Sequence, residues 1–419
     1  METQTPEIET PNPSELGGRK GKRGGVTKHL DELRQTRLYR AIRFEAQSHA
    51  KAILIREAMR MKSKSETDKT YLGDVFRTID CMQRRHSYFV KVNQHAAYGT
   101  ASFAGLVTCG SVWACPVCAA KIQERRRCEI ESAMSWHKGR GGAALMVTFT
   151  FPHVRFDTLP ELLAKQAAAF QFLRSPRAYK DLMKSIGFSG LVRSLEVTHG
   201  QNGWHPHTHE LWLVDQSVIQ AKLLGQLVRL WKTACYRAGL ITADMYETLG
   251  PFDVHSVDVR LDVQTGDYLA KQDDSRSWGI AAEVAKASSK AGRAKGVHPH
   301  HFLVRHDIGD DLRYLEYVKA MKGKRQLFWS HGLKAKAGVL EVSDEELAER
   351  EEAGAVMLAA IPAPAWTFVT GNDARSELLD AVELAGWDGM CALLKSLGVP
   401  AHHMPLTPDD YAARAEQAA

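Results

Sequence analysis

His205, His207 and His209 sit on alternate residues of NGWHPHTHELWLV (202–214). The apolar run that follows them reads as a strand. Strand side chains alternate between faces, so the three imidazoles point the same way. Protonated imidazoles side by side repel, so the arrangement makes sense for neutral ligands or proton-transfer groups. Asn202-Gly203 is a strong hairpin signal. A two-residue turn there sets Thr198 opposite His207 and Glu196 opposite His209, and opposed residues share a face. That face carries Glu196, His207 and His209, with Thr198 and His205 nearby. A carboxylate beside two imidazoles suits a divalent metal such as Mn²⁺ or Mg²⁺. Three ligands leave coordination positions open, as a catalytic metal needs. The inference depends on register, because one extra loop residue turns Glu196 to the other face. The competing reading is an exposed polar face without a ligand.

A second cluster is CGSVWACPVC, with Cys109 six residues before the Cys115-Pro-Val-Cys118 knuckle. Structural Zn²⁺ takes four tetrahedral ligands. Cys81 is the first choice for the fourth, with Cys128 and His95 as alternatives. CxxC also serves as a redox pair in cytosolic proteins, but the third cysteine and the proline inside the knuckle favour zinc. Cys235 and Cys391 lie in apolar helical contexts and read as core. The helix KIQERRR (121–127) follows the knuckle directly. A metal site would anchor it and position Lys121, Arg125, Arg126 and Arg127 for phosphate contacts; the alternative is a solvated helix face.

A metal-polarised phosphate needs an attacking group. Tyr268 in DYLAKQ has Lys271 at i+3, on the same face of a predicted helix. A cation there stabilises phosphate charge or a phenolate. Tyr314 and Tyr317, near Lys319 and Lys322, compete for the role.

These residues need a scaffold. The chain has 419 residues, 44 % of them apolar, and a formal charge of +6. That is enough for two or three domains. Basic clusters at RKGKRGG (19–25) and Arg34–Arg43 suit a polyanionic partner such as nucleic acid. No signal peptide opens the chain and no apolar run is long enough to span a membrane, so we expect a cytoplasmic protein with no membrane partner. Residues 1–28 read as a disordered basic tail and 29–74 as a helical segment. Residues 75–140 read as a Cys-rich zinc-binding module with its basic helix. An α+β core with the histidine strand spans 141–335, and a helical extension 336–419. Strands are expected at 144–151, on both sides of the Asn-Gly turn, at 252–260 and at 300–305. Helices are expected near 160–174, 176–186, 217–238 and 311–322. Strands with long helical connections indicate an α+β fold, an antiparallel sheet covered by helices. There is no internal repeat.

Taken together, CGSVWACPVC-AAKI with trailing arginines, VTFTFPH, HPHTHEL, YLAK and EYVKAMKGKRQLFWSHGLK (316–334) resemble the rolling-circle replication initiator (Rep) proteins of bacterial plasmids, which are HUH endonucleases. The resemblance covers roughly residues 75–335. It implies an RRM-like antiparallel sheet with the two-histidine motif on its central strand. His207 and His209 would be the ligand pair, with Thr208 where the family usually has a bulky apolar residue. That departure keeps the pair His205/His207 open, although the hairpin register favours 207/209. The third ligand would be Glu196 and the nucleophile Tyr268. The implied reaction nicks one strand at the double-strand origin, forms a 5′-phosphotyrosine link, frees a 3′-OH and later rejoins the strand. Implied partners are plasmid origin DNA, duplex and single-stranded, together with a host helicase and polymerase; an oligomer is compatible. No Gly-rich phosphate loop is present to suggest a fused helicase. Two other classes compete. A histidine-triad nucleotide hydrolase would want apolar residues where Pro206 and Thr208 stand. A zinc-dependent DNA-binding regulator would use the histidines structurally.

Overall fold

The structure, a computed structural model, describes residues 24–62, 71–215, 218, 220–261, 296–350 and 354–418. Its strands are β1 (Phe89–His95), β2 (Ala101–Ala104), β3 (Ala143–Phe149), β4 (Phe188–Gly200), β5 (Gly203–Val214), β6 (Val257–Arg260), β7 (Leu327–Trp329) and β8 (Ala355–Pro362). They form two antiparallel sheets, β6-β3-β5-β4-β7 and β2-β1-β8. The helices that matter here are α1 (Gly24–Lys62), α2 (Pro116–Lys138), α3 (Leu159–Arg174), α4 (Arg177–Ser185), α5 (Gln220–Arg237), α6 (Ile308–Met321), α7 (Asp344–Glu349) and α8 (Arg375–Ser396). The α+β class, with helices over antiparallel sheets, is as the sequence implied.

The five-stranded sheet has two different faces because β5 carries two different patterns. Its even positions, Thr208, Glu210, Trp212 and Val214, face α3 and α5. There Phe149 meets Phe170 and Trp231 at ring separations of 5.5 and 5.1 Å. Its odd positions run His205, His207, His209, Leu211, Leu213. Leu211 and Leu213 pack with Ile130 and Met134 of α2 and with Met146, Val192 and Leu333. One end of that face is covered by α2, and at the histidine end the side chains of Glu196, His207 and His209 keep between 11 % and 19 % exposure among the described residues.

Several expected elements change type. Residues 252–260 split into a helical turn, Pro251–His255, and the short strand β6. Pro251 suits the first helical position, and the Asp253 carboxylate accepts from the Gly250 N–H at 2.9 Å, which favours the turn. Residues 300–305 are not a strand but a 3₁₀ turn and a short helix, Phe302–Arg305. Pro299 and the His298 ring, which accepts from the His300 N–H, start that turn. The last strand of the large sheet is instead β7. The region beyond 336 is not wholly helical, since β8 pairs along β1. The basic tail ends early: residues 24–28 already belong to α1, and 1–23 lie outside the described residues.

The terminal segments are bound into the body. Arg375 of α8 is fully buried and donates to Gln47 Oε1 (2.8 Å) and Ser48 Oγ (2.7 Å) of α1. Glu383 accepts from Arg37 and Arg40 of α1 and from the Ala101 N–H. Glu57 links α1 to α6 through Lys319 (2.6 Å) and also takes Arg60 (2.6 Å). Arg60, then Lys319, hold the Glu57 carboxyl down to about 2. A carboxyl depressed on folding stabilises above its unfolded pKa of about 4.3, and that stability fades as pH falls toward 2. Both cations are about half exposed, so Glu57→Gln should cost only about 1 kcal/mol at pH 7. Urea midpoints of variant and wild type should converge between pH 4.5 and pH 2; a constant gap would assign the loss to packing instead.

Candidate metal centres

The hairpin turn is Gln201-Asn202, one residue earlier than the Asn-Gly signal suggested. Gly200 pairs with Gly203, Thr198 with His205, Glu196 with His207 and Ser194 with His209. Moving a two-residue turn by one position shifts every facing pair by two, which preserves the face. Glu196 therefore faces His207 rather than His209 and still lies beside both.

Glu196 Oε2 lies 2.7 Å from His207 Nε2 and 3.2 Å from His209 Nε2. The three side chains offer ligand atoms within 4.8 Å of one another. Their other ring nitrogens are already committed. His207 Nδ1 lies 3.2 Å from the His205 carbonyl, which can only accept. That contact puts a proton on Nδ1 and makes Nε2 the nitrogen a cation would take; without a cation, an Nε2–H donated to the Glu196 carboxylate satisfies the 2.7 Å contact. His209 Nδ1 meets Thr148 Oγ1 at 2.8 Å. Such outer partners fix tautomer and ring orientation at metal sites. Burial alone would raise the Glu196 pKa, but the adjacent His207 and His209 bring it down to about 2. The carboxyl is thus ionised at neutral pH, the form that binds a cation. Burial works to lower the His207 pKa and the neighbouring Glu196 outweighs it, so the net direction is upward.

His205 stands outside this group. Its Nε2 meets Thr150 Oγ1 at 2.6 Å, and its ring stacks on His207 (4.8 Å) and on His153 (4.7 Å). Burial, then the neighbouring imidazoles, pushes its pKa down to about 3, so it is a neutral stacking partner. Thr148, Thr150 and His153 were missed in the sequence. The alternation in VTFTFPH held the signal, because β3 pairs with β5 and sets Thr148 opposite His209.

The strand is fixed from below. Glu210 is fully buried on the far face, where it accepts from the Trp212 indole (2.8 Å) and pairs with Arg174. Arg174→Ala would leave that carboxylate with the indole donor alone. We expect a loss of about 3 kcal/mol in denaturant unfolding; a change under about 0.5 kcal/mol would mean that water reaches Glu210.

Cys81, Cys109, Cys115 and Cys118 form the second group, all four buried, with Sγ atoms within 4.8 Å of one another. Cys81–Cys118 is 3.4 Å, and Cys109–Cys118 and Cys115–Cys81 are each 3.7 Å. Tetrahedral Zn–S bonds of about 2.3 Å would put sulfurs about 3.8 Å apart. The set therefore fits a zinc ion. N–H donors from Cys118 (3.4 Å) and Gln47 (3.0 Å) reach Cys115 Sγ, and that of Ser111 (3.5 Å) reaches Cys109 Sγ, as suits thiolates. Of the alternatives for the fourth ligand, Cys128 is exposed and His95 lies on β1; neither is in the group. Cys235 is buried as expected, while Cys391 is only half-buried.

The basic helix makes other contacts. Lys121 donates to the Ala348 carbonyl (2.9 Å), and Arg125 to the carbonyls of Leu347 and Arg350. Arg126 binds Asp344 (2.6 Å), Glu129 and the Val342 carbonyl, and Arg127 pairs with Glu124 and Glu131. All four are engaged within the protein, most of them holding α7 against α2. A phosphate contact would have to compete with these. Tyr314 and Tyr317 are fully buried. Burial raises both phenols, which argues against either as an attacking group. Tyr268 and Lys271 lie outside the described residues.

An antiparallel sheet with a Glu-His-His group on one face, preceded by a four-cysteine module, defines a protein with two side-chain groups that could each hold a metal ion. Comparison with known proteins agrees with the motifs. The replication protein family (Rep_1) matches residues 104–357, more than half of the chain. "Protein rep" of Streptomyces lividans is 31 % identical over 373 aligned positions, covering 72 % of this chain and 80 % of that protein. The chain belongs to this family of plasmid replication initiators. A "Neomycin resistance protein" of Streptomyces cyanogenus is 35 % identical over 144 residues, covering 28 % of this chain and 33 % of that one. No solved structure matches. Among the described residues, no helix is long and apolar enough to cross a membrane.

Proposed function

We propose that the protein is the site-specific nickase and strand transferase of plasmid rolling-circle replication. The Glu196–His207–His209 group on one face of the five-stranded sheet supports this most strongly. A divalent cation, Mn²⁺ or Mg²⁺, held by these three residues would polarise a non-bridging oxygen of the scissile phosphate. Thr148 and the His205 carbonyl keep the two imidazoles aimed, and His205 buttresses His207.

The protein would bind the double-strand origin and take up a short single strand at this face. Tyr268 is the proposed nucleophile. Its phenol oxygen bonds to phosphorus, the P–O3′ bond breaks, and the leaving oxygen becomes a 3′-OH as the phenol loses its proton. Lys271, three residues on in the sequence, would stabilise the charge. The 5′-phosphotyrosine retains the phosphodiester energy, so attack by a 3′-OH rejoins the strand without ATP. The 3′-OH serves a host polymerase, with a host helicase opening the duplex, in the cytoplasm. Zinc in the four-cysteine group would be structural.

The test is a nicking assay on supercoiled plasmid carrying the origin, with Mn²⁺ or Mg²⁺, read on a denaturing gel. Wild type should give a nick whose 5′ end carries protein. Tyr268→Phe should give neither nick nor adduct, a loss on the order of a thousandfold or more. An adduct that survives in Tyr268→Phe would place the nucleophile elsewhere. Specific origin binding without a nick under any metal would replace the enzyme by a zinc-dependent regulator.

A further inference from the structure

The loop after β3, PHVRFDT (152–158), starts beside the histidines and ends at α3. It is closed on itself: the Val154 N–H donates to the Asp157 carboxylate (2.7 Å), and the Asp157 N–H to the Val154 carbonyl (3.0 Å). It is also tied to the site. His153 lies nearly flat on His205, at 4.7 Å and 15°, and His205 stacks in turn on His207. The Arg155 backbone lies against the hairpin tip, where a Cβ on Gly203 would come within 3.1 Å of it. Gly203, at φ +84°, allows both the turn and this approach.

This tethered loop holds a phenyl ring out in water. Phe156 is 90 % exposed, with Val154 at 61 % and exposed Arg155 between them. Single exposed apolar residues are ordinary on protein surfaces. Here the ring is on a fixed loop, three residues from an imidazole stack that leads to the Glu-His-His group. Three residues span at most about 11 Å, which corresponds to about three nucleotides of stacked strand. A flat aromatic ring beside a guanidinium is the chemistry that binds single strands, because every base offers a π-face and every linkage a negative charge.

We propose that Phe156 is a stacking platform for an unpaired nucleobase of the strand held at Glu196, His207 and His209, with Arg155 taking the adjoining phosphate. The proposal rests on the nicking reading for where the strand lies. Phe156 contributes to binding and orientation, and it does not act in the bond-breaking step.

The test compares wild type, Phe156→Ala and Phe156→Tyr as full chains. The probes are a fluorescein-labelled oligothymidylate of roughly twelve nucleotides and a duplex of the same length, read by fluorescence anisotropy. Phe156→Ala should weaken single-strand binding about tenfold and leave duplex binding within about twofold, and Phe156→Tyr should restore it. Single-strand affinity of Phe156→Ala within about twofold of wild type would overturn the platform. So would loss of an oligomer in sedimentation with DNA affinity unchanged, because Phe156 would then contact a second copy. Nicking by wild type is scored separately. If no metal supports a nick yet Phe156→Ala still loses single-strand affinity, the platform stands and the nicking reading falls.

Discussion

His209→Ala should remove metal-dependent nicking by on the order of a thousandfold, as should His207→Ala, whereas His205→Ala should cost about tenfold or less. The three histidines look equivalent in sequence and are not equivalent in space. Glu196 Oε2 lies within 3.2 Å of Nε2 of both His207 and His209. The His205 side chain turns its Nε2 to Thr150 Oγ1 instead and offers its ring face, not a ring nitrogen, to His207. Removing a ligand deletes a cation contact and leaves an ionised Glu196 with one imidazole beside it. Removing His205 loosens the orientation of a ligand, which elsewhere costs metal sites 10- to 100-fold. Glu196→Gln should resemble the ligand variants in activity, since the amide keeps the shape and loses the charge. Mn²⁺ binding by titration calorimetry should follow the same order as nicking. If His205→Ala loses metal and His209→Ala keeps it, the ligand pair is 205/207 and the assignment fails.

The order of effects could be anticipated from sequence only in part, and the reason is geometric. Side-chain parity along β5 follows from alternation alone, so the shared face of Glu196, His207 and His209 survived an error in the turn. The turn itself was misplaced because Asn-Gly commonly occupies both central positions of a hairpin, while here Gly203 already belongs to the strand and makes room for Arg155. Thr148 and Thr150 needed the pairing of β3 with β5, a long-range fact that no local pattern encodes. Cys81 was legible by type but not by distance, since 28 residues separate it from Cys109 and only the fold brings them together. The arginines of α2 show the same limit from the other side. A run of like charges reads as a surface for polyanions, but α7 comes from more than two hundred residues away to supply its carbonyls and Asp344. β8 was hidden in the same way. Its alternation is weak, and its edge becomes a strand because β1 is there to accept it.

Stripping zinc, or Cys118→Ser, should unfold the module that holds the N- and C-terminal segments together, and with it the protein's resistance to heat. The four sulfurs are buried, so without a cation they must stay largely protonated or bear mutual repulsion in a site that excludes water. Structural zinc in small domains supplies ~10 kcal/mol or more of folding free energy. Half of that equals the whole stability of many domains. The loss would not stay local. Gln47 of α1 joins Cys115 Sγ to Arg375 of α8, so the metal group, the N-terminal helix and the C-terminal helix share one buried polar chain. The expected result is one zinc per chain by elemental analysis in wild type, and none in Cys118→Ser. The variant's melting transition should fall by about 10 °C or more. Cys128→Ser and Cys235→Ala should keep the zinc, because Cys128 is exposed on α2 and Cys235 is buried on α5, and neither belongs to the group. Nicking by the zinc-free protein should fail through loss of fold, so far-UV circular dichroism must change together with activity. A zinc-free protein that melts with wild type would mean that the four thiols pack as an ordinary core and that the module owes its shape to β1, β2 and β8 alone.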